Sequence, residues 1–354
     1  MKKVVLFMTS AMLLFAGCAK EELTSEPQEI GFRAYNFKQT KAPIESAVYG
    51  TDAPNFKVFA ALDREGNYLT NYASSEKYFE TEVAYDETDT YKIWRPWSST
   101  DSKFIKYYWP MSGSLTFVAV SPATAESAFA NQTATLTVTD FSSSTTVAEQ
   151  ADLMYSKITS ALDLKSANTV QYDGSVKTGV PVVFNHALAQ VAFMAENKEA
   201  SANTIQINKI QITEVANKGT LTVVKDVASS DNGLVDGWKT TTTDDATFVS
   251  LSENEVKTIG EIAEKLGSPL MIIPQTLAED IKLEVTYTMT QINGVDVPKT
   301  TRTVSKKLSE IVGDSLNANK KYTITLSIGA DEILFSPSIV PWSETTNVEN
   351  YPIK

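Results

Sequence analysis

The sequence predicts an all-β protein, with two β-sandwich domains and one short helix in the second. Three observations carry that expectation. Apolar and polar residues alternate with a period of two over many short runs, most cleanly in Thr135-Leu136-Thr137-Val138-Thr139. The runs are rich in β-branched and aromatic residues. Clusters of Gly, Asn, Asp and Ser, such as SSDNGLVDG at 229–237, separate them at short intervals. Many short strands with frequent turns bury their apolar faces by stacking sheet on sheet.

The chain opens on a segment that is not part of that fold. Lys2 and Lys3 precede an apolar run from Val4 to Phe15, interrupted by Thr9 and Ser10, and Ala16 and Gly17 stand before Cys18. This is a secretory signal with a small-residue cleavage site. Its apolar run, about a dozen residues, is short of the roughly 20 that a spanning helix needs. Small-small-Cys after such a run resembles a bacterial lipobox, with Phe15 where that pattern has Leu. The resemblance implies cleavage between Gly17 and Cys18 and a diacylglycerol group on Cys18. Cys18 is the single cysteine of the chain, so no internal disulfide forms. Ala19-Lys20-Glu21-Glu22 is similar to the acidic export tag of surface lipoproteins in the Bacteroides group. Residues 1–17 are therefore read as a signal peptide and 18–41 as a lipidated segment.

The first strand candidate is Glu29 to Phe37, with Ile30, Phe32 and Ala34 on one face. Further strands are expected at Asn55–Leu62, Leu115–Pro122, Thr133–Phe141, Ile205–Val215, Gly219–Val224, Ile281–Met289 and Lys321–Ile328. A turn-rich stretch before Pro181 suggests a boundary, giving one domain over 42–180 and a second over 181–354. In the second, Ser252 and Glu255 form a capping-box signature. Val256, Ile259, Ile262 and Leu266 follow at helical spacing, and Gly267 and Pro269 close the segment, so a helix is expected there. The chain's last apolar stretch is Glu332 to Trp342. Pro337 and Pro341 within it suit an edge or interrupted strand.

Composition excludes several functions. The formal net charge is -12, and losing Lys2 and Lys3 with the leader leaves -14. So acidic a chain offers no footprint for nucleic acid. One histidine, His186, is too few for the common zinc sites. No GxSxG elbow, P-loop or GxGxxG occurs. No cofactor, metal or catalytic residue is expected, and the chain is not read as an enzyme. His186 reads as a packed histidine at a strand end or bend.

Five segments carry a wider resemblance. YYWPMSGSLTFVAVSP (107–122), ADLMYS (151–156), VPVVFNHALAQVAF (180–193), MIIPQTL (271–277) and NKKYTITLSIGADEILFSPSIVPW (319–342) together resemble the fimbrillin family, the fimbrial lipoproteins of the Bacteroides group. The resemblance implies two transthyretin-like β-sandwich domains. It also implies a route: export as an outer-membrane lipoprotein, trimming by a trypsin-like protease, and loss of the first strand. A carboxy-terminal strand of another subunit then fills the groove left behind. Carried onto this chain, the removable strand presents Ile30, Phe32 and Ala34. The cut falls between Lys41 and Ala42, with Arg33 as the rival site. The donor strand, near 332–342, presents Ile333, Phe335, Ile339 and Trp342. The implied partners are other copies or related fimbrial subunits, the maturation protease, and a host or glycan ligand. An alternative is a surface glycan-binding lipoprotein. It rests on the aromatic cluster Trp94, Trp97, Tyr107, Tyr108 and Trp109, and it requires Trp94 and Trp97 exposed on one flat face.

Overall fold

A computed structural model describes residues 28–36, 53–64, 74–88, 93–156, 179–225, 234–241, 245–292, 300–330 and 332–342. Cys18, Gly17, Lys41 and Ala42 lie outside the described residues. The first half contributes β1 (Phe32–Asn36), β2 (Phe56–Asp63), β3 (Glu76–Tyr85), β4 (Trp94–Ser98), β5 (Lys103–Phe104), β6 (Ser114–Ser121), β7 (Ser127–Ala130), β8 (Thr135–Ser142), β9 (Met154–Ser156) and β10 (Val180–His186). The second half contributes β11 (Ala189–Asn197), β12 (Asn203–Ala216), β13 (Lys218–Lys225), β14 (Leu234–Thr240), β15 (Asp245–Leu251), β16 (Lys257–Ile259), β17 (Glu264–Ile272), β18 (Gln275–Thr276), β19 (Lys282–Gln291), β20 (Thr300–Lys307), β21 (Ser315–Leu316), β22 (Lys320–Ile328) and β23 (Ile333–Pro341). The protein is all-β.

The first sheet runs β1-β10-β9-β6-β2-β3-β4-β5, and β1 meets β4 again, so the sheet curls back on itself. Its inner face encloses a core that includes Phe32, Phe56, Phe117, Phe184 and Trp94. Its outer face carries Phe59, Ala61, Val118 and Val120, which pack with Leu136, Val138, Leu221 and Val223 of a second sheet. That sheet runs β14-β13-β8-β7 and draws strands from both halves of the chain. The second half forms its own sandwich. Sheet β17-β11-β22-β23 faces sheet β15-β12-β19-β20, with Val191, Phe193, Ile205, Ile212, Leu283 and Ile324 between them.

The chain leaves the first sheet after His186 and enters the third at Ala189, so β10 belongs with the first half although it starts at the expected boundary. Both strands lie in one apolar run, and only Ala187 and Leu188 separate them. The β13–β14 hairpin then returns to the first half, where Leu221 pairs with Val138 and Trp238 Nε1 donates to the Ala187 carbonyl at 2.8 Å.

The helix expected from Ser252 is not formed. Ser252 and Glu255 form half of a capping box: Ser252 N–H donates to Glu255 Oε2 at 3.3 Å, the Ser252 hydroxyl reaches the same oxygen at 3.0 Å, and Glu255 N–H donates to the Ser252 carbonyl at 2.9 Å. Those contacts close a turn, and β16 and β17 follow it. The supposed helical stripe divides: Ile259 and Leu266 are buried, whereas Val256 and Ile262 are exposed. Strand pairing with β12 and β11 satisfies this backbone and buries Ile259, Leu266 and Leu270 to Ile272. Among the described residues of the second half, the α-helix is instead a single turn, α1 (Ser309–Val312), whose own Ile311 and Val312 are buried.

Gly267, read from sequence as a helix stop, marks an irregularity in β17. The pairing of β11 with β17 shifts register between Val191 and Phe193. Gly267 has φ +59°, and a Cβ there would lie 2.2 Å from the Ser250 carbonyl oxygen. Gly267→Ala is therefore expected to destabilise the protein by about 2 kcal/mol or more. A lowered urea midpoint for the variant is the check; an unchanged midpoint would mean that the bulge does not need glycine.

Candidate assembly site

The first strand is short but deeply seated. Ile30, Phe32 and Ala34 are 2%, 0% and 1% exposed, and Phe32 meets the Phe117 ring edge-on with centroids 5.6 Å apart. The strand is bonded on both sides. Toward β10 it runs parallel, Phe32 opposite Val180, and Val180 N–H donates to the Gly31 carbonyl at 2.7 Å. Toward the other side Ile30 N–H donates to the Tyr107 carbonyl at 2.8 Å, and Phe32 lies opposite Trp94 of β4. It thus fills the seam of the curled sheet. Arg33 lies within the strand, side chain exposed, opposite Pro181.

An ion-pair network fixes the start of this strand. Arg95 of β4 contacts Glu29 at 3.3 Å and Asp86 at 2.9 Å, and Lys106 bonds the other Glu29 oxygen. Asp86 also accepts from the Thr88 hydroxyl at 2.6 Å. Burial pushes the Asp86 carboxyl up, but hydrogen bonds from Thr88 and Arg95 outweigh it and hold the group below its ordinary value. The Glu29 carboxylate raises Lys106 above its usual range. Nothing in the sequence joins Glu29 to Arg95 and Lys106; only the curl of the sheet brings them together.

The tail strand β23 is different in character. It pairs antiparallel with β22 alone, at the margin of its sheet. Ile333 and Phe335 are half-buried, with Lys306 Nζ 5.6 Å from the Phe335 ring centroid. Leu334, Ile339 and Val340 are 53%, 46% and 45% exposed. Gly329 N–H donates to the Glu332 carbonyl and Trp342 N–H to that of Asn319, so even-numbered residues face β22. The odd-numbered backbone points outward. Pro337 and Pro341 fall on that outer side, where their missing N–H blunts the open edge.

Trp342 directly follows this strand and is only 1% exposed. Its ring stacks on His186 at 4.1 Å and 3°. His186 Nδ1 contacts the Asp152 carboxylate at 2.9 Å. His186 is thus a packed residue at a strand end, the position expected of it, and the tail's last aromatic is its partner. Of the four expected donor residues, Ile333 and Phe335 share the inward face, Ile339 lies open, and Trp342 belongs to the core between the first and second sheets.

The aromatic cluster does not form a flat platform. Trp94 and Trp109 are 3% and 5% exposed and belong to the inner core, Tyr107 stacks on Phe79 at 4.2 Å, and Trp97 packs edge-on with Phe104 at 4.9 Å. The shared exposure of Trp94 and Trp97 that a sugar-stacking site required is therefore absent.

A family model described as fimbrillin-like matches residues 40–342. Among solved structures, a fimbrial protein from Bacteroides vulgatus is similar at TM-score 0.57 and 16% identity, over 89% of this chain and 99% of that one. A candidate cell adhesion protein from Bacteroides uniformis is similar at TM-score 0.50 and 14% identity, over 89% of this chain and 98% of that one. At such identities the likeness concerns the fold. No curated protein matches the chain.

Proposed function

The chain belongs to the fimbrillin-like family, and from that premise we propose that it is a structural subunit of a bacterial surface fimbria that supports adhesion. In this reading it is exported as an outer-membrane lipoprotein on Cys18. A trypsin-like protease cuts between Lys41 and Ala42, and the trimmed subunits join by strand exchange. The partner of each subunit is another copy or a related subunit.

One observation carries the reading: β1 and the residues leading into it close the seam between β10 and β4, with Ile30, Phe32 and Ala34 buried. Loss of residues up to Lys41 removes that strand whole. It leaves the β10 edge unpaired and opens the apolar interior behind Phe117, a surface that strand addition would cover. The family match begins at residue 40, so β1 lies outside the part of the chain that the family model spans, as suits a segment lost on maturation. Arg33 is the poorer cut, because its backbone is paired with β10 and a protease needs an unpaired, exposed segment.

Mass spectrometry of the protein shed from cells tests this directly. The expected amino terminus is Ala42. A start at lipidated Cys18, with no shorter form, would overturn the polymerising reading.

A further inference from the structure

Two hexapeptides at opposite ends of the chain share a pattern. Glu29-Ile30-Gly31-Phe32-Arg33-Ala34 and Glu332-Ile333-Leu334-Phe335-Ser336-Pro337 both begin Glu-Ile-x-Phe, and each closes on a compact residue two positions later. The first is the strand in the seam. The second opens the exposed edge strand β23.

We propose that the seam accepts the tail of a second copy in one register, chosen by charge. Glu332 takes the place of Glu29 between Arg95 and Lys106. Ile333 then falls at Ile30, Phe335 at Phe32 and Pro337 at Ala34. This rests on the strand-exchange reading above and specifies its register and its selecting residues.

The charges favour it first. When the leading segment departs, Glu29 goes with it, and Arg95 and Lys106 both lose that carboxylate. Arg95 keeps Asp86, whereas Lys106 loses the carboxylate that it bonds and stands at the seam's entrance as a cation that a new carboxylate can meet. Glu332 supplies one carboxylate, and it is exposed in its own fold. Charge complementarity of this kind sets register and speeds encounter.

The side-chain pattern agrees. The inward positions are Ile30, Phe32 and Ala34, each at most 2% exposed. In the proposed register they receive Ile333, Phe335 and Pro337, two of them like for like. A slip of one residue would turn Leu334 and Ser336 inward and Phe335 out. A slip of two would set Pro337 or Ile333 in the pocket of Phe32, where the ring of Phe117 waits.

The backbone agrees as well. Val180 N–H bonds Gly31 and Ile30 N–H bonds Tyr107, so odd residues of the strand face β10 and even residues face the other side. Ala34 is even, and the described pairing toward β4 ends at Phe32. A proline there gives up no bond to β10. Ser336 falls at Arg33, whose side chain is exposed. Leu334 falls at Gly31, where a Cβ would lie 2.7 Å from Ile93 Cδ1. That atom is the far end of a flexible side chain, so Leu334 at this position requires Ile93 to shift.

The test uses the full chain, trimmed with trypsin, and reads the ladder of strand-exchanged polymers. Trimming removes Cys18, so engineered thiols are alone. Arg33 faces Pro181 in the seam; Pro181→Cys is therefore combined with Leu334→Cys, Ser336→Cys or Ser338→Cys. The expected result is an intermolecular disulfide that forms with Ser336→Cys and not with the other two. Polymers that cross-link through 334 or 338 would overturn the register while leaving strand exchange intact. No ladder at all would overturn both. In parallel, Glu332→Gln, a change on an exposed side chain, should slow the ladder by roughly tenfold. Assembly of that variant at the unaltered rate would remove the carboxylate from the proposal.

Discussion

Phe32→Ala is expected to destabilise the untrimmed chain by about 3–5 kcal/mol, the usual cost of emptying a fully buried phenylalanine site. Phe32 is 0% exposed, packs on Phe117, and sits where the curled sheet closes on itself. Its loss leaves a cavity that the rigid neighbouring strands cannot fill. A typical domain has only about 5–15 kcal/mol to lose, so the urea midpoint should fall steeply. The change should be local in character: amides of β1 and β10 should exchange early, ahead of those in β12 and β19. Phe335→Ala offers the contrast, because that ring is half-buried on an edge strand; its expected cost is about 1 kcal/mol. Equal costs for the two would contradict the idea that one strand is locked in place and the other held lightly. A cost below about 1 kcal/mol for Phe32→Ala would mean that β1 is not part of the core.

The difference between these two strands was half legible in the sequence. Period-two alternation placed Ile30, Phe32 and Ala34 on one face, and that face is the buried one. The same alternation in β8, β12 and β22 marked strands that pair as expected, because a strand with one buried face must alternate. The helix at 252–269 failed for an instructive reason. A capping-box contact needs only a turn, and four apolar residues at helical spacing can also be two short strands. The decisive signal was Gly267, whose positive φ belongs to a bulge as readily as to a helix end.

The site itself was less legible. Glu29, Arg95, Asp86 and Lys106 are scattered over the first half of the chain, and each alone reads as a surface charge. The sheet's curl sets them in one network, and no local pattern encodes a curl. In the sequence His186 and Trp342 read separately, as a packed histidine and as a tail residue. Their stacking depends on the first half's last strand and the chain's final strand converging, which is a property of topology. The repeated Glu-Ile-x-Phe is visible in the sequence, but it acquires meaning only once one copy is seen to fill the seam and the other to lie exposed.

Trp342→Ala should release the tail. Among residues 333–342 only Trp342 is buried. The rest of the strand is held by its backbone bonds to β22 and by the half-buried Ile333 and Phe335. Trp342 adds the stacking on His186 and a place in the core beside Leu188 and Met271. Truncating a buried tryptophan costs about 3–5 kcal/mol, and here the loss falls on the last strand of the chain. It should appear as local opening: the even-numbered amides Leu334 to Val340, which face β22, should exchange roughly two to four orders of magnitude faster, while those of β12 and β19 keep their protection. Ile339→Ala, at a position 46% exposed, should leave exchange unchanged. Under the proposed strand exchange, a tail that leaves its own sheet to join another subunit needs an anchor strong enough to keep it home before assembly. Trp342 supplies one outside the hexapeptide that the proposed register uses, so Trp342→Ala should raise the rate of polymer formation in trimmed protein. A variant with faster exchange and slower assembly would show instead that the tryptophan is needed in the acceptor subunit, and would extend the donor segment to residue 342.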